Sequence, residues 1–74
     1  MRRDYHINVF FSPEDRCYVA DIPDLKSCSA FGKTPEAAVR EVRIAMKAWI
    51  DAARANRKRV PAPRYRPAIH RAAS

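Results

Sequence analysis

The chain has a single glycine (Gly32), two cysteines (Cys17 and Cys28), no acidic residue after Asp51 and no apolar run near the length of a membrane span. One glycine excludes the glycine-rich loops that cradle phosphates. Two cysteines fall short of the disulfide framework of a small secreted domain, so a reducing, cytoplasmic setting is expected. A membrane helix needs ~20 consecutive apolar residues. The opening Met1-Arg2-Arg3-Asp4-Tyr5-His6 leads into an alternating stretch instead, so neither a membrane span nor a signal peptide is expected. The two histidines, His6 and His70, stand at opposite ends of the chain, at no metal-ligand spacing with the cysteines. Free, half-buried or buried thiols and no metal or cofactor are the expectation. Asp21 and Asp24 flank Ile22-Pro23 as ordinary turn residues, and no nucleophile stands with a base, so no catalytic activity is expected.

What the chain does have is charge of one sign in one place. Its 74 residues carry 15 Lys+Arg and 8 Asp+Glu, for a formal net charge of +7. All eight acids lie in residues 1 to 53, where eight bases balance them. The excess therefore sits wholly in Arg54, Arg57, Lys58, Arg59, Arg64, Arg66 and Arg71. The expected organisation is one neutral domain, residues 1 to 56, followed by a basic, proline-rich tail, residues 57 to 74. A tail of this kind attracts phosphates or an acidic protein face, or is simply a solvated extension.

The element pattern predicts an α+β fold. Apolar residues at Tyr5, Ile7, Val9 and Phe11 alternate with His6 and Asn8 as in a strand. Ser12-Pro13-Glu14-Asp15-Arg16 forms a hairpin loop, Cys17 to Ile22 a second strand, and Ser27 to Phe31 a shorter third. Centring the second turn on residues 24 and 25 sets Ile22 opposite Ser27 and Cys17 opposite Gly32. The two sulfurs are then about four rungs apart, too far to bridge. Thr34 as cap, Pro35 at the first turn and Glu36 on the positive end of the dipole start a helix. Its apolar stripe runs Ala38, Val42, Ala45, Met46, Trp49, Ala53, and it ends near Asn56 in a left-handed cap. The expectation is an antiparallel three-stranded meander packed on one long helix. A fourth edge strand around Tyr65 to Ile69 is a further candidate. Val60-Pro61-Ala62-Pro63 reads as a semi-rigid linker ahead of a groove ligand.

Such a sheet is apolar on both sides. Ile7, Val9, Val19, Cys28 and Ala30 are assigned to one face, and Phe10, Tyr18, Ala20, Ile22 and Phe31 to the other. One helix covers only one face, so a partner is expected on the second. A slip of one residue in register exchanges members of the two faces but leaves both apolar. A chain this small also draws little margin from its own core, which favours self-association.

The order of Cys17-Tyr18-Val19-Ala20-Asp21-Ile22-Pro23-Asp24-Leu25, Cys28, Gly32-Lys33-Thr34-Pro35-Glu36-Ala37-Ala38, a helix bearing Trp49, and Val60-Pro61-Ala62-Pro63 resembles the HicB-type antitoxins over residues 5 to about 63. Ser27 stands where that family usually has glycine, Lys33 where it has an acidic or amide residue, and Ala37 where a second glutamate is common. Many members continue into a ribbon-helix-helix or helix-turn-helix module that binds an operator. The proline-rich residues after Asn56 form neither, so the chain resembles a short member without a DNA-binding module. The resemblance implies a degenerate, partial RNase H-like fold without catalytic carboxylates, and a small basic HicA-type toxin, an mRNA-cleaving ribonuclease, as the occluded partner.

Tyr5, Phe10, Tyr18, Ile22 and Phe31 are the candidate anchors for a toxin or for a second copy in a dimer or larger homo-oligomer, since such side chains bring large area. Arg57, Lys58, Arg59, Arg64 and Arg66 are candidate phosphate contacts, with Tyr65 stacking on a base. Nucleic-acid binding through the tail is thus the rival of toxin occlusion, and a homo-oligomeric scaffold without a toxin is the third reading. A basic tail repels a basic toxin unless it points away.

Overall fold

In a computed structural model the described residues are 4 to 67. Three strands, β1 (Asn8–Ser12), β2 (Cys17–Asp21) and β3 (Ser29–Gly32), form one antiparallel sheet in the order β1-β2-β3, and a single helix, α1 (Pro35–Ala55), packs on it. This is the expected α+β meander. Beyond Asn56, no strand forms among the described residues. Of the fourth-strand candidate, Tyr65 to Pro67 are not a strand, while Ala68 and Ile69 lie outside the described residues, as do His70 and Arg71.

Both connections place a non-glycine residue in the left-handed region, and these residues set the register. Arg16, φ 52, closes the loop between β1 and β2, where the Ser12 hydroxyl also donates to Asp15 at 2.9 Å. The second connection is a pair of turns: Leu25 N–H donates to Ile22 C=O and Cys28 N–H to Leu25 C=O, both at 3.1 Å, with Ser27 at φ 60. Ile22 N–H then donates to Cys28 C=O at 3.0 Å. The partner of Ile22 is therefore Cys28, one residue on from the expected Ser27, and the left-handed Ser27 is the residue that shifts it.

The helix begins as the capping residues dictate. Thr34 is extended, its hydroxyl accepts from Ala37 N–H at 3.0 Å, and Pro35 occupies the first turn, where no N–H is needed. At the other end Asn56 is not left-handed, contrary to expectation; Arg57 is, at φ 57. Arg57 N–H donates to Arg54 C=O and Lys58 N–H to Ala53 C=O, the paired bonds of a Schellman cap. A residue with a Cβ pays a conformational penalty there that glycine avoids. Arg57→Gly is expected to stabilise the fold by about 1 kcal/mol, read as a higher urea midpoint with an unchanged slope.

The core is built from both layers and from the chain ends. Ile22, Leu25 and Val42 are fully buried, with Ala20, Cys28, Ala38 and Ile50 around them, and each large side chain contributes about 1.5–3 kcal/mol. Tyr5 and Val60 join the same cluster from the N-terminal segment and the tail, and Ile50, outside the expected stripe, is buried in it. Trp49 ties the helix to the second turn through Nε1–H donating to Lys26 C=O at 2.9 Å. The tail read as a linker is held along the domain: the Tyr5 hydroxyl donates to Pro61 C=O, and the Asp24 carboxylate accepts the backbone N–H groups of Arg64 and Tyr65 at 3.1 Å.

Candidate functional site

Strand alternation and register divide the sheet into two faces. Val9, Ala20 and Ala30 are mutual partners, as are Phe11, Tyr18 and Gly32, and these rows lie on the helix side with Ile22 and Cys28. The other side carries the row Phe10, Val19, Phe31. No element covers this row among the described residues: Phe10 is 51% and Phe31 54% exposed, and Val19 is half-buried. Ser12 and Cys17 lie at one end of it, and Asn8, Asp21 and Ser29 at the other.

The expected face assignment is corrected accordingly. Val19 joins Phe10 and Phe31 on the open face, while Tyr18, Ala20 and Ile22 turn to the helix, because β2 pairs one residue away from the assumed register. Both faces remain apolar. Of the five candidate anchors, Phe10 and Phe31 stand together in the open. Ile22, 1% exposed, and Tyr5, 8% exposed, are consumed by the chain's own core, and Tyr18 packs on that core with its ring edge-on to Phe11 at 5.3 Å. Val19 was the missed member, and its placement directly between the two phenylalanines became visible only with the register.

The helix lies mainly across β3 and β2 and reaches β1 only at its margin. On the helix side Val9 and Phe11 of β1 are consequently exposed as well. β1 thus presents three consecutive large apolar residues to solvent, one on the open face and two on the other.

Near the β1 end of the open face, His6 Nε2 and Asn8 Oδ1 are 2.6 Å apart, and the Tyr65 ring packs on the His6 ring with centroids at 4.7 Å. The six tail candidates fall in two groups. Arg57, Lys58 and Arg59 are exposed at the carboxyl end of the helix, where positive charge complements the dipole. Arg64, Tyr65 and Arg66 are exposed beyond Pro61 and Pro63, in the segment whose backbone Asp24 holds. Tyr65 is already engaged with His6, so base stacking would have to displace that contact.

A second apolar surface runs along the helix, where Val39 and Ile44 lie between Pro35, Glu36, Arg40, Arg43 and Lys47. Its rim is predominantly basic. The open sheet face, by contrast, has Asp21 as the only charged residue within its strand rows. Cys17 and Cys28 are both free and lie on opposite faces. Burial pushes the Cys28 thiol above its ordinary value, and the nearby Asp21 charge adds to the shift. Because the folded state holds that proton more tightly than the unfolded one, stability contributed by the neutral thiol is lost as pH climbs past the ordinary thiol range. Iodoacetamide at neutral pH is expected to label Cys17 well before Cys28, with mass spectrometry of the peptides as the readout.

Among the described residues no three His, Cys, Asp or Glu side chains cluster to hold a metal, and no helix is long and apolar enough to cross a membrane. Comparison with family models, curated proteins and solved structures finds no match. The functional reading therefore rests on the geometry of the open face and on the motif resemblance.

Proposed function

We propose that the chain is a non-catalytic, HicB-like antitoxin that binds and occludes a small, basic, HicA-type ribonuclease toxin through the open face of its sheet. The observation that carries the reading is the row Phe10, Val19, Phe31, which lies across all three strands and is left uncovered by the described residues. Aromatic anchors flanking a smaller apolar residue make the desolvated centre that protein partners use. Asp21 is the one charge within the strand rows of this face, with Arg64 and Arg66 on either side of the Tyr65 that packs near its β1 end, whereas the helix groove is rimmed by three bases, Arg40, Arg43 and Lys47, against the single acid Glu36.

The residues of the motif resemblance also take roles that support it. Ser27 stands where the family usually has glycine and holds φ 60, a conformation glycine enters without penalty. Gly32 meets the helix start too closely for any side chain, and Thr34 and Pro35 are the cap and first turn.

The test is co-expression of the tagged full chain with the small open reading frame beside its own. A stable co-purified complex and restored growth are expected. Phe31→Ser should abolish capture while leaving the fold intact, and Arg64→Glu with Arg66→Glu should not. Absence of both complex and rescue sinks the proposal. Binding to RNA or DNA that weakens steeply with salt and is lost in the Arg64 and Arg66 variants would instead favour the tail as a nucleic-acid contact.

A further inference from the structure

We infer that β1 pairs with β1 of a second copy, antiparallel about a two-fold axis through Phe10, to make one continuous six-stranded sheet. The inference goes beyond the toxin reading and does not depend on it.

β1 is an edge strand, so among the described residues one side of its backbone has hydrogen-bonding groups without a strand partner. Native edges are commonly blunted by lysine, proline or a bulge. Between Ile7 and Pro13 this chain has no charged residue and no proline, and β1 pairs with β2 residue for residue without a bulge. The same strand leaves Val9 38%, Phe10 51% and Phe11 51% exposed. Those residues point alternately to both faces, so an occupant stacked on one face would leave the other bare. A strand added at the edge places side chains against both.

The occupant is a second copy because Asn8-Val9-Phe10-Phe11-Ser12 is its own complement. Antiparallel pairing about Phe10 sets Phe10 against its mate, each Val9 against the partner's Phe11, and each Asn8 against the partner's Ser12. Apolar residues meet apolar residues in the centre and polar meets polar at both ends, which is the pairing that stabilises a ladder. No charge enters the seam, so the net +7 of each chain does not oppose contact there. The other edge, β3, offers a shorter strand that runs through Lys33 directly into the helix cap.

The exposed area of β1 supplies part of what this geometry needs. A phenylalanine brings 150–250 Å² to an interface, so two half-exposed rings and Val9 supply about 250 Å² of apolar surface from each copy. An interface of standard size takes about 800 Å² per partner, a little over half of it apolar. β1 alone therefore provides about half the apolar share from five residues, and its backbone adds directional hydrogen bonds. Pairing also joins the two open faces, so that Phe31, Val19, Phe10 and their mates run in one row across six strands about 4.8 Å apart.

The full chain should sediment as a dimer, and Val9→Lys, which sets an ammonium against the partner's Phe11, should raise its dissociation constant about tenfold or more. In a Cys17→Ser background, Phe10→Cys should give a covalent dimer under oxidised glutathione, because paired strands bring the two Cα atoms to about 4.5–5.5 Å, inside disulfide range. Phe31→Cys, equally exposed on the same face, should not, since β1 pairing leaves its mate about 24 Å away. Circular dichroism verifies that each variant is folded. A monomer at the highest soluble concentration overturns the inference. So does a dimer indifferent to Val9→Lys, or one that cross-links through residue 31 rather than residue 10, as face-to-face stacking would.

Discussion

Gly32→Ala is expected to remove about 3 kcal/mol or more of stability, a large share of what a chain of this length has. A Cβ at residue 32 would lie 2.3 Å from the backbone nitrogen of Ala38 and 2.7 Å from the carbonyl carbon of Ala37. Both atoms belong to the first turn of α1, so no flexible side chain can swing aside, and relief requires the helix to lift off β3. Overpacking of this kind commonly costs 1–3 kcal/mol even where side chains can adjust. A chain of this length has about 4–11 kcal/mol in total. The backbone of Gly32 is not left-handed, so the requirement is space and not conformation. It arises because only Lys33 and Thr34 separate the end of β3 from the start of the helix. Urea unfolding should show a sharply lower midpoint with an unchanged slope. A variant within about 0.5 kcal/mol of the parent would mean that strand and helix are further apart than described.

The second large effect separates two residues that sequence reasoning had grouped. Ile22→Ala should cost about 2–5 kcal/mol, because the side chain is enclosed between sheet and helix and its removal leaves a cavity. Phe31→Ala should cost about 1 kcal/mol, well below Ile22→Ala, because about half of the side chain is exposed. Under the proposed function, its deficit should appear in capture of the co-expressed partner. Denaturation curves for the two variants, set beside capture by the co-expressed partner, give opposite orders of severity. Equal stability losses in both would mean that Phe31 is covered within the chain, and the open face would cease to be a candidate site.

Much of the architecture is legible in local residue chemistry. Alternation over residues 5 to 11 marks a first strand, which forms as β1 only from Asn8 while Tyr5 to Ile7 stay outside it, β-branched and aromatic residues mark β2, and Thr34-Pro35-Glu36 marks the start of α1 to the residue. The spacing from Ala38 to Ala53 gives the face the helix buries. Register was not legible. Phe10 and Phe11 are adjacent and equally apolar, so periodicity does not say which points to the helix. The turns that decide it use Arg16 and Ser27 in left-handed conformations, where the usual glycine signal is absent. The docking of the tail was equally hidden, since proline spacing describes an extended segment whether it is free or held. Only the proximity of Asp24, Tyr5 and His6 distinguishes the two.

Element type and order, the absence of glycine-rich phosphate chemistry, and the segregation of positive charge all follow from short stretches of residues, because propensity, capping and charge act over a few positions. Which apolar side chains stay bare does not follow from any such stretch. It depends on how far one helix reaches across three strands and on a one-residue choice of pairing, both settled by packing between segments distant in the chain. That packing buries Ile22 and Tyr5 and leaves Phe10, Val19 and Phe31 in a row that no element covers among the described residues.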